Sequence, residues 1–324
     1  MLKPVVIVHA KLPAQLLRKL EAHFQLVIFE KLSAETMPLL RQQLATAVGI
    51  IGTGLRVDEA LLQQAPLLKV ASTVSVGYDQ YDLPALQRRQ ITLTHTPYVL
   101  NDTVADLAFA LMLAAARRVC ELNAVVKQGQ WHKQSESGYF GVDLHHKTLA
   151  ILGMGRIGQA IAKRAYLGFD MKVSYSARHD KPEIDRTFQA QRAELDQLLS
   201  SADFVVNILP STVETQNLIG EKQFALMKPS AVFINLGRGN TVDEQALYRA
   251  LKNKQILAAG LDVYQSEPIA TDSPLLTLDN IVCLPHIGSA TAETRFAMQS
   301  CAVDNLINSL LYPNDPQKTV YRVN

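Results

Sequence analysis

Disulfide chemistry has almost nothing to work with in this chain. Its 324 residues include three cysteines, Cys120, Cys283 and Cys301, scattered and without a CxxC pair. That excludes a disulfide framework and a thiolate zinc site, and favours reduced thiols in a cytoplasmic protein. Net charge is equally scarce, +2 from 32 basic and 30 acidic residues. A nucleic-acid binder needs a basic face to meet phosphates, so nucleic acid is not an expected partner. Long apolar runs are missing too. The longest, Leu107 to Ala116, falls far short of the roughly 20 residues that span a bilayer, so no membrane partner is expected. Val5 to Val8 is too short for the apolar region of a signal peptide and reads as a buried strand. No short-period repeat is present, which excludes a solenoid. His145 and His146 are adjacent, and on extended backbone they point to opposite faces, so no metal site is expected. No G-x-S-x-G elbow supports a serine hydrolase.

Short β-rich runs alternating with helix-length stretches make up what is there. Before residue 100 the runs are 5–10, 26–29, 48–53, 69–74 and 91–96; after 147 they are TLAILGM, KVSYS, FVVNIL, AVFINL, LAAGLDV and IVCLP. Continuous apolar runs of this kind predict parallel strands covered on both faces, an α/β fold formed twice. Between the two sets, 101–129 predicts one long helix without proline, capped by Asn101 or Asp102 and apolar nearly all round as far as Ala116. Such a helix must be covered on several sides, at a domain junction or a subunit interface. The stretch 291–312 has helical periodicity and nothing of its own to pack on, so it is expected to cross back onto the first domain. Two domains follow, 1–100 with 289–324, and 101–288.

The segment ILGMGRIG supplies Gly153, Gly155 and Gly158 in G-x-G-x-x-G spacing between a strand pattern and a helix pattern. Gly153 serves a tight turn, Gly155 lets backbone approach a pyrophosphate, and Gly158 lets the helix pack close. In an NAD site an acid ends the next strand, about 20 residues on, and bonds the ribose hydroxyls. Here that place holds Ser176, followed by Ala177 and Arg178. A carboxylate would repel a 2′-phosphate, whereas a hydroxyl and a guanidinium bind one, so NADP(H) is expected over NAD(H), which remains usable with lower efficiency. A second constellation is Arg238 in NLGRG, Glu267 in DVYQSEP and His286 in PHIGSAT, each just past a predicted strand. Together they suit keto-acid reduction: arginine clamps the carboxylate, histidine donates a proton to the carbonyl oxygen, and glutamate orients the imidazole and favours its protonated form.

With these residues the chain resembles the D-isomer-specific 2-hydroxyacid dehydrogenases, and within them the bacterial glyoxylate/hydroxypyruvate reductases, also described as 2-ketoaldonate reductases. The likeness runs over STVSVGYDQYD, NDTVAD, GMGRIG, NILPST, NLGRG, GLDVYQSEP and PHIGSAT, essentially the whole length. It implies two Rossmann-like, doubly wound parallel-sheet domains with the active site in the cleft between them. It implies Arg238, Glu267 and His286 as catalytic residues, with backbone at Val76 and Gly77 holding the substrate carboxylate beside Arg238. For the cofactor it implies Thr103, with Asp262 and Ser289 near the carboxamide, Arg156 and Ile157 offering N–H groups to the pyrophosphate, and Pro210 bordering the adenosine. It also implies a homodimer built around the helix within 101–129. Its members reduce glyoxylate and hydroxypyruvate, and some reduce larger 2-keto sugar acids such as 2-ketogluconate. The modest Ile287, Gly288 and Ser289 beside His286 favour small or hydroxylated substrates. The segment SESGYFGVD is read either as sending Tyr139 or Phe140 into the partner's cleft or as an exposed loop. Two alternatives stand beside this reading: a dehydrogenase for a phosphorylated substrate such as phosphoglycerate, and a nucleotide-sensing corepressor that keeps the scaffold. The intact Arg238, Glu267 and His286 weigh against a sensor.

Overall fold

The computed structural model describes residues 3–132, 138–319 and 321–324. The chain divides into two compact units, Met1–Leu100 with Ala290–Asn324, and Asn101–Ser289. In the first unit, β1 (Val5–His9), β2 (Gln25–Ile28), β3 (Ala47–Gly52), β4 (Val70–Thr73) and β5 (Thr92–Thr94) form a sheet in the order β2-β1-β3-β4-β5. All its pairings are parallel. The apolar runs are sealed on both faces: Val6, Ile7, Val8, Ile50 and Ile51 are fully buried, as a parallel sheet under helices requires. The connecting helices are α1 (Ala14–Glu21), α2 (Thr36–Leu44), α3 (Glu59–Leu62) and α4 (Leu83–Arg88). Asp58 and Asp82 cap the last two by accepting from Leu61 N and Ala85 N. The last helix, α12 (Ala292–Leu311), belongs to this unit and lies along β3, β4 and α1. Ser72 Oγ donates to Ala302 O at 2.8 Å, and Gly49 leaves room for Leu306 and Leu310.

The second unit carries seven strands: β6 (Thr148–Leu152), β7 (Lys172–Ser176), β8 (Gln191–Arg192), β9 (Phe204–Asn207), β10 (Val232–Asn235), β11 (Ala258–Leu261) and β12 (Ile281–Cys283). Their order is β12-β11-β10-β9-β6-β7-β8, again all parallel. The order reverses beside β6, the arrangement in which doubly wound sheets place ligands at the carboxyl ends of strands. Helix α7 (Arg156–Phe169) follows β6, and α8 (Pro182–Phe188), α9 (Leu195–Ser201), α10 (Glu221–Leu226) and α11 (Glu244–Lys252) make the other crossings. The two-residue edge strand β8 is polar and exposed and gives no sequence signal of a strand.

One expectation is corrected here. The long helix over 101–129 is two helices, α5 (Asn101–Ala116) and α6 (Val119–Lys127). Arg118 adopts a left-handed conformation (φ 55°) at the break. Its guanidinium meets Glu121 at 2.8 and 2.5 Å and the Gly138 carbonyl at 2.6 Å, while Val142 N takes the Ala116 carbonyl at 2.9 Å. A carbonyl satisfied by a returning segment no longer needs the next helical turn. Among the described residues, no helix is long and apolar enough to cross a membrane.

Candidate active site

The glycine-rich turn follows β6 and leads into α7. Gly153 has φ +105°, and a Cβ there would lie 3.1 Å from Ile208 O. At Gly158 a Cβ would fall 2.2 Å from Gly153 O, so only glycine lets α7 start this close to the turn. Gly155 differs: a Cβ would meet nothing within 4 Å. It is the N-cap of α7, in extended conformation and with no side chain to cap the helix. Open space at the start of a 14-residue helix, beside the N–H groups of Arg156 and Ile157, fits a pyrophosphate.

Ser176 is the last residue of β7 and pairs in register with Leu152 at the end of β6. Gly153 N donates to Ser176 O at 3.1 Å, which ties the glycine turn to this strand end. Arg178 is exposed and carries its charge out from this loop. The Glu214 carboxyl is held below the usual carboxylate range, chiefly by the Thr212 hydroxyl, with the positive charge of Arg178 contributing. Arg178 therefore sits near the loop after β9, in which Thr215 Oγ1 donates to Pro210 O at 2.6 Å.

Arg238, Glu267 and His286 occupy loops beyond the carboxyl ends of β10, β11 and β12. His286 Nδ1 lies 2.6 Å from Glu267 Oε2, and Glu267 Oε1 accepts from Tyr264 N at 3.1 Å. His286 holds φ 53°, uncommon for a residue with a side chain. The loop is fixed on both sides of it. Tyr264 Oη donates to Leu284 O at 3.0 Å; beyond His286, Ile287 N and Gly288 N donate to the two Asp262 oxygens at 2.7 and 2.8 Å. Burial pushes the Asp262 carboxyl up, and these two N–H groups pull it back toward the anion. Asp262 thus acts on the residues that follow His286, a role the sequence does not announce. Ser289 follows directly, and Val104, next to Thr103 in the first turn of α5, packs against Gly288.

The Arg238 loop rests on buried amides that the sequence reading also missed. Asn207 and Asn235 end the neighbouring strands β9 and β10. Asn207 Nδ2 donates to Asn235 Oδ1 at 3.1 Å and to Thr241 Oγ1 at 2.7 Å, and Thr241 Oγ1 donates to Arg238 O at 2.6 Å. Asn235 Oδ1 also accepts from Gly237 N at 3.1 Å. Arg238 is half-buried and its Nη1 reaches Gly237 O at 2.8 Å. An asparagine closing each of two apolar runs, FVVN and VFIN, is the signal that would have found this network. Val76 and Gly77 lie in the first unit, after β4. There His95 Nδ1 donates to Val76 O at 3.0 Å and Ser75 Oγ to Gly77 O at 2.6 Å, so the turn is held by side chains. Of the segment 135–143, residues 135–137 lie outside the described residues; Phe140 is 74% exposed. Among the described residues no cluster of ligands suits a metal ion.

Residues 109–288 match the family described as D-isomer specific 2-hydroxyacid dehydrogenase, NAD binding domain. The chain belongs to the D-isomer-specific 2-hydroxyacid dehydrogenase family. It is 53% identical over 309 residues, 95% of this chain and 96% of the relative, to glyoxylate/hydroxypyruvate reductase B of Klebsiella pneumoniae subsp. pneumoniae. Among solved structures, a protein of Thermus thermophilus superposes with a TM-score of 0.89 at 39% identity, covering 99% of this chain and 100% of its own. The NADPH-dependent glyoxylate/hydroxypyruvate reductase of Sinorhizobium meliloti, in complex with NADP and malonate, gives a TM-score of 0.83 at 30% identity and covers 99% of each chain. Members of this family share the all-parallel α/β architecture described above.

Proposed function

We propose that this chain reduces small 2-keto acids to D-2-hydroxy acids with NADPH, glyoxylate and hydroxypyruvate first and 2-ketogluconate as a larger candidate. The observation that carries the reading is the His286–Glu267 pair at 2.6 Å, on adjacent strand-end loops of the unit that bears the glycine-rich turn. The naming of the Klebsiella and Sinorhizobium relatives as glyoxylate/hydroxypyruvate reductases supports the substrate class. Residues 101–289 take the dinucleotide, and 1–100 with 290–324 the substrate.

When bound, the reduced nicotinamide supplies the hydride. Arg238 clamps the substrate carboxylate through its planar fork, assisted by the backbone N–H groups of Val76 and Gly77. Glu267 takes Nδ1 of His286, which leaves Nε2 to deliver a proton to the carbonyl oxygen as it becomes an alkoxide. Asp262 fixes the backbone just past the imidazole, so the donor is aimed before substrate arrives. Arg156 and Ile157 present N–H groups to the pyrophosphate, Pro210 borders the adenosine, and Thr103, Asp262 and Ser289 lie at the nicotinamide end. Ser176 and Arg178 bind the 2′-phosphate, which a carboxylate at 176 would repel. The three free thiols suit the reducing cytoplasm. A homodimer through α5 and α6 accounts for the apolar residues that α6 leaves uncovered.

The test is a panel of 2-keto acids assayed with NADPH and NADH. Glyoxylate and hydroxypyruvate should turn over, with higher kcat/KM for NADPH; no turnover with any 2-keto acid would refute the reading. Arg178→Ala should lower NADPH kcat/KM on the order of 10- to 150-fold, the worth of a hydrogen bond to a charged group, and leave NADH nearly untouched. Equal losses with both cofactors would remove Arg178 from the 2′-phosphate.

A further inference from the structure

Arg192 lies outside the strand-end loops, in the short edge strand β8. Its side chain nevertheless reaches back over the loop that follows β7. Nε donates to Ala177 O at 2.9 Å, and Nη1 meets Asp180 Oδ1 at 2.8 Å. Two other bonds hold the same loop. Ser176 O accepts from Gly153 N at 3.1 Å, and the hydroxyl of the fully buried Tyr175 accepts from Lys181 N at 3.0 Å. Residues 176, 177, 180 and 181 are therefore tied down, and Arg178 stands between the ties.

We infer that Arg192 is a positioning residue for cofactor specificity: it straps the 176–181 loop so that Ser176 and Arg178 meet the 2′-phosphate of NADPH, and it neutralises the Asp180 carboxylate. The inference rests on the NADPH reading above. Asp180 is two residues past Arg178, and a bare carboxylate there would repel the phosphate that Arg178 attracts. One guanidinium performs both tasks because its donors diverge in a fixed plane, one to a carbonyl and one to a carboxylate. An ammonium on a flexible stem offers no such fork. The ion pair is solvent-exposed, with Arg192 and Asp180 side chains 39% and 72% accessible. Such pairs add little to stability, so the effect belongs in ligand selectivity: a loop ordered beforehand does not have to be ordered when the phosphate binds.

The experiment is calorimetric titration with two fragments, adenosine 2′,5′-bisphosphate and 5′-AMP, which differ only in the 2′-phosphate. Wild type should prefer the bisphosphate. Arg192→Ala should reduce that preference about three- to tenfold, less than the full worth of an exposed pair plus one hydrogen bond because Arg192 acts through the loop, with 5′-AMP affinity unchanged. Arg192→Lys should fall between wild type and Arg192→Ala, since an ammonium can still offset Asp180 but cannot also hold the Ala177 carbonyl. Asp180→Ala in the Arg192→Ala background should recover part of the preference. Arg178→Ala with Arg192→Ala should be little worse than Arg178→Ala alone, because a positioning residue acts through the residue it positions. The inference is overturned if Arg192→Ala keeps the wild-type preference or weakens both fragments equally. Additive losses in the double variant would also overturn it, since Arg192 would then touch the phosphate itself. A wild type without preference for the bisphosphate would refute the NADPH reading, a result distinct from each of these.

Discussion

At the scale of single residues, chemistry is concentrated on His286 and on what surrounds it. Glu267 holds one ring nitrogen, Asp262 fixes the two N–H groups that follow, and Tyr264 braces the chain before it. Replacing His286 with Ala should lower turnover of glyoxylate by about 10² to 10⁴, the usual worth of a general acid. Binding of NADPH, followed by quenching or calorimetry, should change little. A loss smaller than about tenfold at saturating substrate, with chemistry rate-limiting, would assign the proton to another group. His286, Glu267 and Arg238 stood out as candidates in the sequence because each stands in a glycine- or proline-marked segment after a strand pattern. Asp262 as a loop clamp was not, because its partners are backbone N–H groups 25 and 26 residues away.

At the scale of elements, the glycine-rich turn separates two jobs that the motif runs together. Gly158 is needed for packing, since a Cβ there clashes with Gly153 O, whereas Gly155, where a Cβ meets open space, is proposed to serve the pyrophosphate. Gly158→Ala should therefore destabilise the protein by about 1–3 kcal/mol, as overpacking does, seen as a lower urea midpoint. Gly155→Ala should unfold like wild type and bind NADPH more weakly. The reverse pattern would mean that the space before α7 is not where the pyrophosphate goes. The break between α5 and α6 was illegible, because neither proline nor glycine marks it. Arg117 and Arg118 are sound helix formers, and the turn depends on Glu121, Gly138 and Val142 being brought to the same place.

At the scale of the whole molecule, two groups carry consequences beyond the site. Helix α6 buries none of its residues although Val119 and Val126 are apolar and more than half exposed. If α5 and α6 form the homodimer contact, Val126→Glu places a charge in it and should shift sedimentation from dimer toward monomer. An unchanged dimer would move the interface elsewhere. In the first unit, His9 ends β1 almost wholly buried, with Nδ1 3.3 Å from Thr53 O and no partner for Nε2 among the described residues. Burial pushes its pKa down from 6.5 to about 4. The fold therefore favours the neutral ring, and the unfolded chain binds the proton more readily. Stability from this group is full above pH 6.5 and is lost as pH falls toward 4, in all roughly 3 kcal/mol. His9→Leu should narrow the difference between urea midpoints measured at pH 7 and pH 4.5. A gap as wide as that of wild type would place the acid sensitivity on other groups.

Sequence by itself determined the two parallel sheets and the glycine-rich turn, and it singled out the side chains proposed to react. These follow from local rules: continuous apolar runs become strands buried on both faces, and glycines mark the places where backbone must turn or approach closely. Ser176 and Arg178 could be proposed for the 2′-phosphate from sequence, because a missing acid at a fixed distance from a motif is a local observation. What only the tertiary structure decided is how those side chains are held. The Asn207–Asn235–Thr241 network, the clamp by Asp262 and the reach of Arg192 over the β7 loop each join residues from different strand ends. Each joins strands that neighbour one another in chain and sheet alike, β9 with β10, β11 with β12 and β7 with β8, but spacing does not say which polar atoms of their loops meet. Spacing along the chain reports what one segment can become; only the packed sheet determines which strand ends face each other and which polar atoms find partners there.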